Sequence, residues 1–319
     1  MNYDLFNGDA DGILSLLQLR KAQPIDSVLV TGVKRKIDLM RDLNVSCDDK
    51  VTVLDVSMEK NADALQRVLE LGCSVFYADH HKTGTIPSSN NLDAHIDLDP
   101  NMCTALIIDQ YLSGQYHEWA IAAAFGDNLV AKARQLSLDA GLTNEQMSQV
   151  EELGVLINYN GYGDSLDDLH YHPKDLYMAL MQYASPFDVI ADIESPYHRL
   201  KDAYDCDMSA AQTQKPEYES DRVGVYILPN NATSRRVSGV FGNWLANEAP
   251  DKAHAVFTEN GDGTYKISLR APLNNKQGAG DICSQFATGG GRAAAAGVNA
   301  LPRDQVDVFI QAVDKYYNI

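Results

Sequence analysis

The chain has 319 residues, of which 45% are hydrophobic, and a chain of this length commonly divides into domains of roughly 100 to 200 residues. Its formal net charge of -18 argues against binding to long DNA or RNA, because such binding rests on Lys and Arg side chains that neutralise phosphates. The five cysteines are widely spaced, and no segment has the composition of a signal peptide or a membrane span, so we expect a protein of the reducing cytoplasm.

Residues 1 to 80 alternate short apolar runs with helical patterns. The runs YDLF, SVLV, VTVL and SVFYA predict strands, and they are separated by GILSLLQLRKA, a charged amphipathic stretch and NADALQRVLELG. This alternation is typical of a mainly parallel sheet wound with helices. The apolar spacing then predicts helices over residues 104 to 136, and helices interrupted by NYNGYGDSL over residues 144 to 183.

A polar stretch at residues 191–220 predicts a linker between two domains. Beyond it, VGVYIL, AHAVFTE and TYKISLRA predict strands, while SGVFGNWLANEA and PRDQVDVFIQAVDKYY predict helices. We therefore predict an α/β protein. A wound, mainly parallel sheet occupies residues 1–190, and residues 221–319 form a smaller α/β domain with a mixed sheet.

Acidic side chains follow three of the four strands predicted in residues 1 to 80. Asp9 and Asp11 come after YDLF, Asp55 directly after VTVL, and Asp79 directly after SVFYA. A single aspartate after a strand is more often a helix cap or a turn former. The carboxyl ends of parallel strands share one edge of a sheet, however, so three such strand ends favour one convergent site. Together with the histidine pair after Asp79, these carboxylates suit manganese, magnesium or zinc, and manganese is our first choice.

The motifs resemble those of the DHH phosphoesterases that carry a DHH-associated second domain. The matching segments, in chain order, are DADG, LDVS, ADHHKTG, FGDN, SLRA and GAGDICSQFATGGGRAAAAG, and they extend over nearly the whole chain. This resemblance implies two divalent cations, with metal ligands Asp9, Asp11, Asp55, His80 and Asp127, Asp55 being the bridge. It also implies catalytic roles for Asp55, Asp79 and His81, with His81 near the scissile phosphate. The implied substrate-binding residues are Arg270, Gly289, Gly290, Gly291 and Arg292.

Two departures from the family pattern stand out. Many members carry a histidine shortly before the first aspartate, but residues 3–8 contain none, so we expect one metal to be held more weakly. The usual histidine after the glycines is replaced by Arg292, which adds a permanent positive charge to a predicted loop of backbone donors. The alternative for Arg292 is a helix cap or a side chain that faces solvent.

The resemblance implies a metal-dependent phosphodiesterase that acts on short linear oligonucleotides. Our first substrate is the diribonucleotide pGpG, cleaved to two GMP in the turnover of cyclic di-GMP. An active site on one domain and an anchor on the other would set the substrate length. The alternatives are a broad nano-RNase that dephosphorylates 3'-phosphoadenosine 5'-phosphate, an enzyme that opens cyclic dinucleotides, and a non-catalytic nucleotide-binding regulator. The resemblance further suggests a homodimer, without a membrane partner.

Overall fold

The computed structural model describes residues 1–317 and divides into two compact units, the first spanning Met1–Asp202 and the second beginning at Ala203. Each unit contains one β-sheet with helices packed on it, which confirms the predicted α/β class. The last two residues of the predicted second domain, 318 and 319, lie outside the described residues.

The first unit is built on a five-stranded sheet in which every neighbouring pair is parallel. Its strands are β1 (Asn2–Phe6), β2 (Val28–Val30), β3 (Lys50–Leu54), β4 (Ser74–Asp79) and β5 (Leu92–Ile96), in the spatial order β2-β1-β3-β4-β5. The chain goes from β1 to β2 on one side and then returns to β3 on the other, so β1 and β3 flank a topological switch point. In open parallel sheets, ligands bind outside the carboxyl ends of the strands at such a point.

Nine helices begin in the first unit. They are α1 (Ala10–Ala22), α2 (Ala62–Glu70), α3 (Thr104–Tyr111), α4 (His117–Gly126), α5 (Val130–Asp139), α6 (Asn144–Gly161), α7 (Pro173–Leu180), α8 (Pro186–Ala191) and α9 (Pro196–Gln212). Helix α4 is buried on every side from Trp119 to Gly126, as expected for a helix that is apolar all round. It packs closely on α6, because a Cβ atom at Gly154 would lie 1.9 Å from the carbonyl oxygen of Ala122. This close contact positions Asp127, the residue that follows α4.

Within residues 203–317, the second unit contains the end of α9, a six-stranded mixed sheet and three further helices. Its elements are β6 (Tyr218–Glu219), β7 (Val223–Leu228), α10 (Ala232–Glu248), β8 (Ala253–Glu259), β9 (Tyr265–Arg270), α11 (Ala279–Cys283), β10 (Gly289–Gly291), β11 (Ala295–Leu301) and α12 (Val306–Tyr317). The strand order is β10-β11-β9-β8-β7-β6, and only β7 and β8 are parallel to each other. The mixed sheet predicted for this part of the chain is confirmed, and its core centres on Phe257, Leu269 and Phe309.

The charged stretch between β2 and β3 is not helical, in contrast to the predicted alternation. Side chains of the following helical region satisfy its backbone instead. The Asn61 amide accepts a hydrogen bond from the Met40 N–H (3.1 Å) and donates one to the Ile37 carbonyl (2.7 Å), while Arg67 donates to the carbonyls of Met40 and Arg41. Because these contacts replace helical hydrogen bonds, the segment runs as an ordered loop.

Two segments have more regular structure than the sequence pattern suggested. Residues 191–220, predicted as a linker, contain α9 and β6. The glycine-rich loop at Gly289–Gly291 is strand β10, because its backbone pairs with β11 from Gly289 opposite Val298 to Gly291 opposite Ala296. Strand β5 was not predicted, since its sequence LDAHI interrupts the apolar pattern with polar side chains.

No helix within residues 1–317 has the length and apolarity needed to cross a membrane. All five cysteines carry free thiols, and Cys73, Cys103 and Cys283 are buried.

Candidate metal centre

Asp55 stands directly after β3, in a backbone conformation that few aspartates adopt. Its φ angle is +57°, in the left-handed region, and the side chain is almost completely buried, with the residue 1% exposed. The backbone N–H donates to the carbonyl of Ala78 at 3.1 Å, which ties this turn to the neighbouring strand. Non-glycine residues in this region are held there by their surroundings at a cost of about 1–3 kcal/mol, and they cluster at functional sites.

His80 is oriented so that one ring nitrogen faces two carboxylates. Its Nδ1 lies 2.8 Å from the Met102 carbonyl oxygen, so Nδ1–H is the donor of that hydrogen bond. The other nitrogen, Nε2, lies 3.6 Å from Asp11 Oδ2 and 3.5 Å from Asp55 Oδ1. In metal-ligating histidines, one ring nitrogen commonly donates to a carbonyl while the other faces the metal. His80 has this arrangement, with Nδ1 at the carbonyl and Nε2 facing the carboxylates.

Asp11 is fixed by the beginning of helix α3. Its Oδ2 accepts from the Thr104 N–H (2.8 Å) and its Oδ1 from the Ala105 N–H (2.7 Å). These amides have no partner within their own helix, and a negative charge there also interacts favourably with the helix dipole. Helix α3 therefore holds the carboxylate against His80, although the two residues are distant in sequence.

His81 and Asp79 form a second, more accessible part of the centre. The His81 Nδ1–H donates to Asp79 Oδ1 at 2.7 Å, and the same nitrogen lies 3.7 Å from Asp55 Oδ1. The Asp79 carboxylate is fully buried, whereas the His81 side chain is 30% exposed. Burial by itself lowers the pKa of His81, but the hydrogen bond to Asp79 and the charges of Asp79 and Asp55 outweigh that effect and raise the pKa above its usual value.

The carboxylates of this centre repel one another strongly. Burial and, next, the charges of Asp11 and Asp9 raise the pKa of Asp55 well above its usual value. Burial likewise raises the pKa of Asp11, and the charge on Asp127 adds to the increase. One ligand atom each from Asp55, His80 and His81 can be chosen so that all lie within 4.8 Å of one another. These residues fit a divalent cation, since its charge would relieve the repulsion that the buried carboxylates otherwise create.

Asp9 and Asp127 meet a lysine that the sequence did not identify. Asp9 caps α1, with Oδ1 accepting from the Gly12 N–H at 3.1 Å, and its Oδ2 accepts a hydrogen bond from Lys34 Nζ. Lys34 Nζ lies 3.9 Å from Asp127 Oδ1 and donates to Asn158 Oδ1 at 3.0 Å. Burial would raise the pKa of Asp9, but the charge of Lys34 outweighs it and lowers the pKa, while the charge of Asp9 overcomes the effect of burial on Lys34 and raises the lysine pKa.

The structure brings all the predicted residues of the first domain to the carboxyl edge of its sheet; they are Asp9, Asp11, Asp55, Asp79, His80, His81 and Asp127. Lys34 and Asn158 were missed. In the sequence Lys34 is one of several basic residues in GVKRK, and no periodicity distinguishes the one that turns inward.

The predicted substrate-binding residues lie in the second unit. Arg270, at the end of β9, donates through Nε to Asn243 Oδ1 (2.6 Å) and through Nη1 to Ser268 Oγ (3.0 Å), so its guanidinium is held in one orientation. Gly289, Gly290 and Gly291 form β10. Arg292 follows on the surface, where its backbone N–H donates to the Ala295 carbonyl at 2.9 Å.

Residues 220–318 match the family model of the DHHA1 domain. In fold, the chain is similar to RecJ from Thermus thermophilus in complex with manganese (TM-score 0.64, 17% identity). The match covers 99% of this chain and 52% of that one, so this chain spans about half the length of that protein. It is similar to the exonuclease RecJ bound to manganese (TM-score 0.55, 16% identity, 99% of this chain and 90% of that one). It is also similar to the pGpG-specific phosphodiesterase PggH from Vibrio cholerae (TM-score 0.57, 16% identity, 99% of each chain).

No curated protein matches the sequence. The domain match and the shared fold together confirm the predicted resemblance to the DHH-family phosphoesterases with a DHH-associated second domain.

Proposed function

We propose that this chain, which combines a DHH-family fold with a DHHA1 domain at residues 220–318, is a metal-dependent phosphodiesterase. The observation that carries the proposal is the orientation of His80, whose Nε2 faces the carboxylates of Asp11 and Asp55 while Nδ1 is held by the Met102 carbonyl. Manganese is the expected ion, with magnesium as the alternative. A divalent cation at these ligands supplies Lewis-acid stabilisation of the phosphoryl group during hydrolysis.

We propose that His81 contacts the phosphoryl group of the substrate. Asp79 fixes the ring, because it accepts a 2.7 Å hydrogen bond from the His81 Nδ1–H. Nε2 is therefore the ring nitrogen that would contact a phosphoryl oxygen, and it donates a hydrogen bond when the ring is protonated. Its partial exposure, in contrast to the buried His80, fits a side chain that touches substrate.

The proposed substrate is a short linear oligoribonucleotide, and pGpG is the first candidate. The net charge of -18 disfavours long polyanions, while a short one requires only local positive charge. In the second domain, which we place at residues 221–319, Arg270, Gly289, Gly290, Gly291 and Arg292 are the proposed contacts. The specificity in the name of PggH supports pGpG, and the product would be GMP in the cytoplasm.

The test compares initial rates with manganese on pGpG, pApA and 3'-phosphoadenosine 5'-phosphate. We expect pGpG to be cleaved fastest. Equal rates on all three would refute the preference for pGpG and favour a broad nano-RNase. Rapid cleavage of cyclic di-GMP, assayed separately, would instead make the protein an enzyme that opens cyclic dinucleotides.

The role of the second domain has its own test. Arg292→Ala should raise KM more than it lowers kcat, because an anchoring contact acts on the bound ground state as well as on the transition state. Arg222→Ala, which removes another exposed arginine of the same unit, is the matched control and should leave both constants unchanged. An unchanged KM in Arg292→Ala would remove this residue from the substrate site.

A further inference from the structure

Lys34 lies where the resemblance to the family implies one of two metal ions. We infer that the ammonium group of Lys34 takes the place of that ion, so that the centre binds one divalent cation and carries its second positive charge on the protein. The inference deepens the proposed function and rests on it. It concerns the number of ions, which can be measured without any substrate.

The contacts of the ammonium group are those of a cation site. Nζ donates to Asp9 Oδ2 and to Asn158 Oδ1 (3.0 Å), it lies 3.9 Å from Asp127 Oδ1, and it stands 5.4 Å from the ring centroid of Tyr162. A carboxylate, an amide oxygen and an aromatic face suit an ammonium group. A transition-metal ion would find no imidazole among these groups.

Each carboxylate oxygen of Asp9 already accepts a hydrogen bond from the protein. Gly12 N–H occupies Oδ1 at 3.1 Å and Lys34 occupies Oδ2, and the Asp9 side chain is only 3% exposed. A divalent cation at this position would have to displace the ammonium group, against the repulsion of two like charges. The ligands implied for two ions therefore fit only one of them, at Asp11, Asp55 and His80.

The backbone around Lys34 is fixed in position. The Lys34 N–H donates to the Gly161 carbonyl at 2.8 Å, and Gly161 in turn packs on Asp9, since a Cβ atom there would lie 3.0 Å from Asp9 Cα. On the other side, a Cβ atom on Gly8 would lie 1.9 Å from the Gly32 carbonyl oxygen. The loop before Lys34 and the loop before Asp9 thus pack backbone to backbone, which only glycine permits.

The sequence also supports the replacement of a metal ion by the ammonium group of Lys34. The histidine that many family members carry before the first aspartate is absent from residues 3–8, so the ion that Lys34 replaces would also lack its nitrogen ligand. The ammonium group has three N–H donors, and two are used by Asp9 and Asn158. The positive charge of this group would stabilise the same negative charge on a phosphoryl group as the missing ion.

Metal counting tests the inference directly. The metal-free chain is loaded with manganese, dialysed, and assayed by mass spectrometry for metal content and by electron paramagnetic resonance for coupling between ions. We expect one manganese per chain with the spectrum of an isolated ion. Lys34→Ala should bind two ions with a spin-coupled spectrum, since Asp9 and Asp127 then lose their cation. Lys36→Ala, which removes an exposed lysine of the same loop, should stay at one.

Two results would overturn the inference. Two manganese ions in the wild-type chain would show that Lys34 does not occupy an ion site, and a Lys34→Ala variant that still binds one would show that Lys34 does not exclude the second. If the alanine variant does not fold, Lys34→Gln keeps a donor for Asp9 without the charge, and the same second ion is expected.

A failure of the proposed function would give a different result from a failure of the inference about Lys34. A chain with one manganese ion that hydrolyses no linear oligonucleotide refutes the phosphodiesterase alone. A chain with two ions that does hydrolyse them refutes the role of Lys34 alone.

Discussion

Gly154→Ala tests how the packing of α4 on α6 controls the candidate metal centre. A methyl group at Gly154 would meet the Ala122 carbonyl oxygen at 1.9 Å, which is about 1.5 Å closer than the 3.4 Å at which ordinary contacts begin. The atom it meets is backbone, so the helices must separate. Alanine in a helix is favoured over glycine by about 1 kcal/mol, whereas overpacking costs about 1–3 kcal/mol and more where no side chain can rotate away. We expect a net loss of about 2 kcal/mol in the free energy of unfolding.

The separation of α4 and α6 should also disturb the candidate metal centre. Asp127 follows the last residue of α4 and lies beside Lys34, and a misplacement of about 1 Å caused by a distant mutation can cost about 100-fold in rate. Urea unfolding gives the stability, and manganese affinity and the rate of pGpG hydrolysis give the effect on the site. Gly261→Ala is the control, because a methyl group there meets no atom within 4 Å. Wild-type stability and manganese affinity in Gly154→Ala would refute this view of the helix contact.

Two further substitutions address stability and its dependence on pH. Arg20→Met should lower the free energy of unfolding by about 3–5 kcal/mol, because it leaves the fully buried Asp4 without its bidentate partner. Arg41→Met, which removes an exposed ion pair, is the control and should cost less than about 1 kcal/mol. Comparable losses of the two variants in urea unfolding would contradict this expectation. The hydrogen bond to Asp109 raises the pKa of His117, so the stability that this pair contributes is present below pH 6.5 and is lost as the pH rises through the folded-state pKa. Relative to His117→Gln, the wild-type chain should therefore lose stability above pH 6.5, and parallel stability curves would show that the pair does not titrate.

Much of the first unit could be predicted because parallel strands impose a strong pattern. Asp9, Asp55 and Asp79 each follow or end a short apolar run, and the rule that ligands bind at the carboxyl ends of strands places them together. The histidine pair after Asp79, His80 and His81, joined them in the same prediction, and the resemblance to the family added Asp127. These residues converge as expected, since the sheet places their strands and loops side by side.

Lys34 could not be predicted, because its position depends on contacts that are distant in sequence. The charged stretch around it has the composition of a solvent-exposed helix, and contacts from distant residues such as Asn61 and Arg67 make the loop a stable alternative. The strand at Gly289–Gly291 was missed for a related reason. Three glycines have low strand propensity, and the pairing with β11 that fixes them is tertiary.

The most direct test of a metal-dependent phosphodiesterase is hydrolysis of pGpG by the wild-type chain and by Asp55→Asn, with manganese and with a chelator. Asp55 is buried and faces both histidines, and an amide has nearly the size of the carboxylate, so the replacement removes charge with little change in volume. We expect manganese-dependent release of GMP by the wild-type chain and a loss of at least about 100-fold in Asp55→Asn, the scale on which electrostatic stabilisation of a transition state acts. Equal residual hydrolysis by the two proteins would contradict this mechanism and would favour a nucleotide-binding regulator.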